Sequence, residues 1–185
     1  MRKKQFYCLL AFLSLILGSC VDNIDFSQAE DANISPVVAV SLVNTNITQN
    51  DLVVGGSEVG TITQTSVVSI LDNGIARNDL DRAVFRFEVN NQFNRDFRIN
   101  FIFLDNNDVS TNNDITLNID ANNTSFVQEN EIIVANNPEF LNTRKIQVEL
   151  TLLPSSDGSS IDINVPTSFD FKSAGTFYFS FNNSN

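Results

Sequence analysis

The chain contains no histidine and no tryptophan, and cysteine occupies only two of its 185 positions. Without imidazole, the Ser-His-Asp and Cys-His arrangements of nucleophilic enzymes cannot form. The usual zinc sites, which need imidazole or several thiolates, are untenable for the same reason. The lack of tryptophan also weakens the case for a site that stacks sugar rings on aromatic side chains. These absences favour a protein that is not an enzyme.

Cationic residues are scarce as well, because 11 Lys and Arg stand against 22 Asp and Glu, for a net charge of −11. Three of the cations, at positions 2–4, precede all 22 carboxylates, so the chain from residue 20 onward carries 8 − 22 = −14. Nucleic acid and bare anionic lipid headgroups are poor partners for such a chain, since both require a cationic face.

The N-terminus has the three parts of a secretory signal peptide. Arg2, Lys3 and Lys4 precede an uncharged and mostly apolar run from Phe6 to Leu17, which two small residues and a cysteine follow. As a helix, this run would span roughly 18 Å, well short of the ~30 Å hydrocarbon core of a bilayer. A permanent transmembrane helix is therefore the weaker interpretation.

Residues 17–20, Leu-Gly-Ser-Cys, resemble the lipobox of bacterial lipoproteins. The resemblance implies that Cys20 is lipidated and that residues 1–19 are removed, the alternative being an ordinary signal peptide with a chance cysteine. Two or three acyl chains, at ~0.8 kcal/mol per buried methylene, anchor a protein firmly. Cys8 would leave with the signal peptide, so no intramolecular disulfide is expected in the mature chain.

Residues 20–35 are predicted to form a flexible acidic tether, because they carry four carboxylates and show neither a helical nor a strand period. Within them, Gln28-Ala29-Glu30-Asp31 resembles a surface-export signal of Bacteroidetes lipoproteins. Val21 differs from the aspartate that retains lipoproteins in the inner membrane of enteric bacteria. The resemblance therefore implies a lipid anchor in the outer membrane, with the domain either displayed on the cell surface or facing the periplasm.

From Pro36 onward, apolar and polar residues alternate, and no stretch sustains the spacing of an amphipathic helix. The sequence predicts one all-β domain over residues 36–185, with about nine to ten strands. Arg82–Val89 and Phe97–Phe103 are predicted to pair as a hairpin. Ile161–Val165 and Phe169–Phe171 are predicted as short strands, with Gly175 interrupting the chain before Phe177–Phe181. Asn137–Leu141 is predicted to form a short helical turn.

Strands with phenylalanine on one face and polar residues on the other fit an antiparallel β-sandwich, immunoglobulin-like in general architecture. A small transmembrane barrel, with its apolar face outward, is the alternative. Membrane barrels carry girdles of Trp and Tyr, whereas Tyr178 is the only such residue beyond the signal peptide. The sandwich is therefore favoured, although strand order cannot be read from the sequence.

Asp105, Asn107, Asp108 and Asp114 crowd oxygen ligands of the kind that calcium prefers into ten residues. The spacing does not follow the EF-hand pattern, and the same residue types dominate ordinary turns. These residues are candidates for a calcium site, with a plain loop as the alternative. No cofactor is otherwise expected.

Two charged groups are further candidates. Glu129 and Glu131 lie two apart on one strand face, as an acid–base pair requires, although such carboxylates are usually only solvated. An arginine cluster could bind carboxylates, or it could pair with the acidic residues next to it in sequence, Asp79, Asp81, Glu88 and Asp96. Its members are Arg77, Arg82, Arg86, Arg95 and Arg98.

The sequence thus predicts a lipid-anchored, non-enzymatic envelope lipoprotein that serves as an interaction or structural module. The alternative is a carbohydrate-binding accessory lipoprotein of a glycan-uptake system. An exposed platform of tyrosine or other aromatic rings would favour the second function. The expected partners are the membrane, through the lipid, and an envelope protein or a glycan.

Overall fold

The computed structural model describes residues 35–72 and 74–181. The predicted signal peptide, Cys20 and the predicted tether up to residue 34 lie outside the described residues. The strands are β1 (Val37–Thr48), β2 (Val53–Val54), β3 (Ser57–Glu58), β4 (Thr61–Val67), β5 (Leu80–Asn91), β6 (Phe97–Leu104), β7 (Ile115–Ile119), β8 (Phe126–Ile133), β9 (Lys145–Leu152) and β10 (Ser168–Phe179).

Short helices join some of these strands. They are α1 (Gln49–Leu52), α2 (Gly74–Asp79) and two 3₁₀ helices (Val134–Asn136 and Pro138–Asn142). The second 3₁₀ helix confirms the helical turn predicted around Pro138. Within the described residues, no helix has the length and apolar character needed to cross a membrane.

Eight strands form two four-stranded antiparallel sheets. The first sheet has the order β1-β10-β5-β8 and the second has the order β4-β9-β6-β7, while β2 and β3 form a small separate ribbon. The predicted all-β sandwich and the predicted number of strands are confirmed.

The strand pairs are nested along the chain. β1 pairs with β10, β4 with β9, β5 with β8, and β6 with β7, all antiparallel. The eight strands therefore form one long hairpin with four strands in each arm. The hairpin is rolled up so that four of its strands lie in each sheet. It is the strand order of an eight-stranded jelly roll. Two packed sheets are also what the predicted immunoglobulin-like architecture contains. The strand order of the sheets could not be predicted from the sequence.

Phenylalanine dominates the space between the sheets. Rings of β5 meet rings of β6 across this space, with centroid distances of 4.9 Å for Phe85 and Phe103 and 5.1 Å for Phe87 and Phe101. Tilted and edge-to-face contacts of this kind stabilise a core beyond the area that they bury. The fully buried rings are Phe85, Phe87, Phe97, Phe101, Phe103, Phe140, Phe169, Phe171 and Phe177.

The predicted hairpin between Arg82–Val89 and Phe97–Phe103 is wrong, because β5 and β6 lie in different sheets. The connection between them crosses one end of the sandwich instead of turning tightly. Phe93 is buried within it, and its backbone N–H donates to the side chain of Asn91 over 3.0 Å. The phenylalanines of the two strands do meet, but they do so across the core and not along a hydrogen-bonded pair.

The predicted break at Gly175 is also wrong, because β10 runs without interruption from Ser168 to Phe179. Gly175 lies in the buried face of this strand, where a Cβ atom would come within 2.9 Å of the Phe177 ring and 3.3 Å of Leu42. Leu42 is the extra residue at a register shift in β1, between Ser41 and Val43. The glycine therefore makes room for the bulge and does not end the strand.

Gly175→Ala is expected to lower the free energy of unfolding by ~1–3 kcal/mol, because the added methyl group overpacks the core beside Phe177. Urea unfolding followed by circular dichroism measures this change. Gly60→Ala is the matched control, since a Cβ atom at Gly60 meets nothing within 4 Å. Equal stabilities of the two variants would contradict the close packing at Gly175.

Residues 161–165 do not form the predicted strand. Asp162 instead accepts a hydrogen bond from the backbone N–H of Asn164 over 2.9 Å, and Val165 N–H donates to the Asp162 carbonyl over 3.1 Å. Such a turn competes with strand pairing because the aspartate side chain satisfies the local backbone. Ile163 and Val165 are accordingly exposed.

Candidate functional site

An apolar cleft opens along one side of the sandwich, between β1, an edge strand of the first sheet, and β4, an edge strand of the second. We call it the β1–β4 cleft. It has a volume of about 570 Å³, and Val43 and Ile47 of β1 and Ile62 of β4 form its walls. Its floor consists of core residues from both sheets, namely Ile99, Val148, Leu150, Phe169 and Phe171.

One end of the β1–β4 cleft is closed by the connection that leads from β1 to β4. The chain turns at α1, where the backbone N–H and the hydroxyl of Thr48 both donate to Asp51 Oδ2, over 2.8 and 2.7 Å. It then passes through the ribbon of β2 and β3. Val54 of β2 and Val59, the residue after β3, both line the cleft. The turn at Thr48 thus places apolar residues over the open end of the core.

A second cavity of about 300 Å³ continues the cleft toward the other end of β1. The two cavities share Val43, and the second extends to Val38 on β1 and to Val67 on β4. At ~3.3 Å per residue, the groove from Val38 to Ile47 is roughly 30 Å long. Its length and narrowness match an extended chain better than a compact ligand.

Asp51 is the single charged residue among those that line these two cavities. The hydrogen bonds from the Thr48 backbone and hydroxyl lower the pKa of Asp51, so its carboxylate is ionised at neutral pH. The polar residues Asn46, Asn50 and Gln64 add uncharged hydrogen-bonding groups. This lining suits an apolar ligand whose polar parts are neutral or cationic.

The calcium candidates lie in the loop between β6 and β7, where their carboxylates cap the local backbone. Asp105 Oδ1 accepts from the N–H groups of Asn107 and Val109, over 2.8 and 2.9 Å, and the Val109 bond is the main cause that lowers the pKa of Asp105. Asp108 accepts from Lys145 Nζ over 2.6 Å.

Asp114 belongs to the same loop and accepts from the Ser110 hydroxyl and from the backbone N–H of Phe103. In residues 35–72 and 74–181, no three acidic, histidine or cysteine residues are grouped in a way that could hold a metal ion. The loop therefore has the hydrogen bonding of an ordinary turn, and the calcium site stays a prediction.

Glu129 and Glu131 lie on the outer face of the first sheet, where two arginines bind them. Arg82 Nη1 is 2.7 Å from Glu131 Oε1, and Arg86 Nη1 is 2.9 Å from Glu129 Oε1. Arg86 also contacts Glu88 over 2.9 Å, and its hydrogen bonds to Glu129 and Glu88 raise the pKa of Arg86. All of these groups are exposed, so solvent screens each pair and its contribution to stability is small.

The five arginines of the predicted cluster thus take part in separate ion pairs and hydrogen bonds. Within residues 35–72 and 74–181, Glu88 is the one predicted partner that forms an ion pair with the cluster. Glu129 and Glu131 come from β8 through the β5–β8 register, and Glu58 comes from β3. Arg98 Nε donates to the Asn118 side chain over 3.2 Å, and Arg77 Nε donates to the Leu71 carbonyl over 3.3 Å.

Arg95, a member of the predicted cluster, is buried, and no local pattern in the sequence predicts that burial. It is 7% exposed, and it donates to Glu58 Oε1 over 2.7 Å and to the Leu153 carbonyl over 2.6 Å. Partial burial alone would raise the pKa of Glu58, but hydrogen bonds from Arg95 and from Ile161 N–H, with the charge of Arg95, lower it. Arg95 thereby ties the β2–β3 ribbon and the loop after β9 to the sandwich.

Glu58→Gln is expected to destabilise the protein at pH 7 and to make little difference in acid. The pKa of Glu58 is lower in the folded state than its ordinary value of 4.5. The stabilisation is therefore fully present above pH 4.5 and is lost as the pH falls through the lower folded pKa. Urea unfolding of both proteins from pH 7 to pH 3 measures this, with Glu139→Gln as the exposed control. A stability difference that is independent of pH would contradict the ion pair.

No broad aromatic platform lies open on the described surface. The large apolar side chains that are strongly exposed in residues 35–72 and 74–181 are all valine or isoleucine. Tyr178 lies under the guanidinium group of Arg82, whose Cζ is 3.7 Å from the ring centroid. One face of the tyrosine ring is therefore covered, and a stacked sugar would have to displace Arg82.

Comparisons with known proteins return no matching family model and no matching curated protein. Among solved structures, the chain is similar to a Parabacteroides distasonis protein described as secreted, with 17% identity and a TM-score of 0.46, covering 63% of this chain and 37% of that one. It is also similar to the VP2 subviral particle of infectious bursal disease virus, with 11% identity, a TM-score of 0.44 and coverages of 80% and 33%. A third is the enzymatically active domain of tailspike protein 4 of bacteriophage CBA120, with 14% identity, a TM-score of 0.40 and coverages of 76% and 19%.

Proposed function

We propose that the protein is a lipid-anchored lipoprotein of the bacterial cell envelope, whose β-sandwich is a non-enzymatic interaction module. The β1–β4 cleft carries the interaction role, because its two cavities lie over an apolar floor and exposed valines such as Val54 and Val67 line its sides. Largely apolar concavities of 300–1,000 Å³ are the usual places where ligands bind. The glutamates of β8, the arginines of β5 and the aspartates of the loop after β6 bind one another, nearby side chains or the backbone.

The anchor follows from the N-terminal sequence. Lipidation of Cys20 would fix the mature chain in the outer membrane, and residues 20–35 would act as a spacer. A flexible chain of about fifteen residues has a root-mean-square reach of roughly 20 Å, enough to hold the sandwich clear of lipid headgroups. The negative net charge of the domain, repelled by anionic headgroups, would keep the cleft available to partners, on the cell surface if the export signal acts.

A glycan-binding accessory role is the second candidate, and the acidic and amide-rich outer face of the first sheet is the place for it. There, Asn46 and Asn90 both donate to the carboxylate of Asp170. Hydrogen-bonding groups alone provide weaker sugar recognition than groups combined with an open aromatic ring. The covered ring of Tyr178 makes this role the less favoured one.

The lipid anchor and the interaction role of the cleft are tested by separate experiments. Mass spectrometry of the protein extracted from its own envelope should show an acylated N-terminal Cys20 and no residues 1–19, and Cys20→Ala should block processing. An unmodified precursor in the wild type would overturn the anchor.

The interaction role is tested by cross-linking and co-purification with the tagged chain. Ile62→Trp, which fills the cleft, should remove the wild-type partner from the purified material. Thr63→Trp, which places the same ring on the exposed outer face of β4, should retain it. Loss of the partner in both variants would contradict a role for the cleft. Retention in both would show that the partner binds another surface of the protein. Competition by oligosaccharides alone would favour the glycan role.

A further inference from the structure

We propose that β4, which among the described residues pairs on one side only, is a docking strand, to whose other edge an extended, apolar and basic segment of a partner protein adds as a new strand. The inference rests on the proposed interaction role of the β1–β4 cleft and names the chemistry of the partner. The alternate side chains of the added strand would enter the cleft beside Ile62 and Gln64. In this mode of binding, main-chain hydrogen bonds supply affinity and the groove supplies specificity.

The first support is the contrast between β4 and the other edge strands. Proteins protect free edges with bulges, charged residues, proline or short length. β1 has the register shift at Leu42, β8 carries Glu129 and Glu131, and β7 has five residues. β4 has seven residues with the sequence TITQTSV, without charge, proline or bulge. It is the edge that is best suited to accept another strand.

The second support is the geometry of β4. Its pairing with β9 runs in unbroken register from Thr61 opposite Thr151 to Val67 opposite Lys145. An antiparallel strand directs alternate N–H and C=O groups to each side, so the side away from β9 offers a row of donors and acceptors. Ile62, Gln64 and Ser66 line the two cavities, whereas the alternate threonines face outward. A strand added here would inherit this alternation and would place every second side chain over the apolar floor.

The third support is charge. Residues 35–181 carry eight Lys and Arg against 18 Asp and Glu, 8 − 18 = −10, and the charged residue of the cleft is Asp51. A partner strand with cationic residues on its outward side is therefore attracted, and an acidic one is repelled. A second copy of this chain carries the same negative charge.

The experiment uses the full chain in phosphatidylcholine nanodiscs, with empty nanodiscs as the blank. The probe is a fluorescent ten-residue peptide in which valine alternates with lysine and threonine. Its control has the same composition with the valines in one block. Fluorescence anisotropy should show that the alternating peptide binds at least about tenfold more tightly than the block peptide.

Two variants separate strand addition from general electrostatics. Gln64→Arg places a cation at the mouth of the cleft, and Thr63→Arg places the same cation on the opposite face of β4. Gln64→Arg should weaken binding of the alternating peptide about tenfold or more, whereas Thr63→Arg should change it less than about twofold. Bound peptide should also slow hydrogen exchange at amides of β4, because they acquire partners.

Equal weakening by both variants, or unchanged exchange in β4, would overturn the proposal. Binding of dodecanol without binding of either peptide would assign the cleft to an acyl chain instead. Self-association that Gln64→Arg abolishes in sedimentation velocity would assign the edge to a second copy. Failure of the peptide while Ile62→Trp still removes the native partner would leave the interaction role standing and would show that strand addition is wrong.

Discussion

Phe101→Ala is expected to lower the free energy of unfolding by ~3–5 kcal/mol, from the lost transfer energy and the cavity that remains. Phe101 is fully buried in β6, an interior strand of the second sheet. Its ring contacts Phe87 across the sandwich and Phe103 along the strand, with centroids 5.1 and 5.5 Å apart. Domains of this size are stable by ~5–15 kcal/mol, so the variant is expected to be severely destabilised or unfolded. Thermal and urea unfolding measure the effect.

Asn100→Ala is the control, one residue away on the outer face of β6. Asn100 is half-buried, and it accepts a hydrogen bond from the Thr116 hydroxyl over 3.1 Å. Loss of this bond is expected to cost ~0.5–1.5 kcal/mol, several-fold less than the loss of the Phe101 ring. Because a slip of one residue exchanges the two faces of a strand, the contrast tests the register. A larger effect from Asn100→Ala would show that the inward face is assigned wrongly.

The inward faces of the strands could be predicted from the sequence because the period of two is a local property. The alternation in Phe97–Phe103 places Phe97, Ile99, Phe101 and Phe103 in the core, and all four are fully buried. The same holds for the apolar residues of β7 and β9, which are buried in alternation. A face is determined by neighbours two residues away, which the sequence displays directly.

Strand partners could not be predicted, because they depend on residues far apart in sequence. Arg86 binds Glu129, 43 positions away, and its neighbour Glu88, and only the second of these contacts has a sequence signal. The hairpin prediction failed for the same reason, since β5 and β6 follow one another in the sequence but lie in different sheets. The β1–β4 cleft is also non-local, because it forms where Val43, Ile62 and Ile99 converge from three strands of two sheets.

Buried polar residues are a further feature of the structure that could not be predicted from the sequence. Arg95 and Asn91 look like surface residues in a polar connection, yet both are buried. Asn91 satisfies backbone groups of Phe93 and Arg95 in the crossing segment between β5 and β6, whereas Arg95 satisfies the Leu153 carbonyl in the loop after β9. The cost of leaving such backbone groups unpaired is what makes these two side chains structurally important.

Asn91→Asp is expected to destabilise the protein by ~3–5 kcal/mol at pH 7, although the two side chains have nearly the same shape. Asn91 is fully buried, and its Nδ2 donates to the carbonyls of Arg95 and Asp120, each over 2.9 Å. Its Oδ1 accepts from the N–H of Phe93 over 3.0 Å. The substitution keeps the acceptor but removes both donors and points a carboxylate oxygen at two carbonyl oxygens.

The loss from Asn91→Asp should also depend on pH. Burial raises the folded pKa of the introduced carboxyl above its unfolded value. The destabilisation is therefore largest at neutral pH and shrinks as the pH falls below the folded pKa. At that pH the carboxyl is neutral and can again donate one hydrogen bond. Asn94→Asp is the matched control, because exposed Asn94 only accepts, from Asn122 Nδ2 over 3.0 Å, and a carboxylate preserves that role. Urea unfolding at pH 7 and pH 4 should show a change within ~0.5 kcal/mol for the control. If Asn91→Asp is as stable as Asn94→Asp at pH 7, the two donated hydrogen bonds do not hold the crossing segment. The connection between β5 and β6 would then be stabilised by the burial of Phe93 and by backbone hydrogen bonds to Ser168 and Leu153.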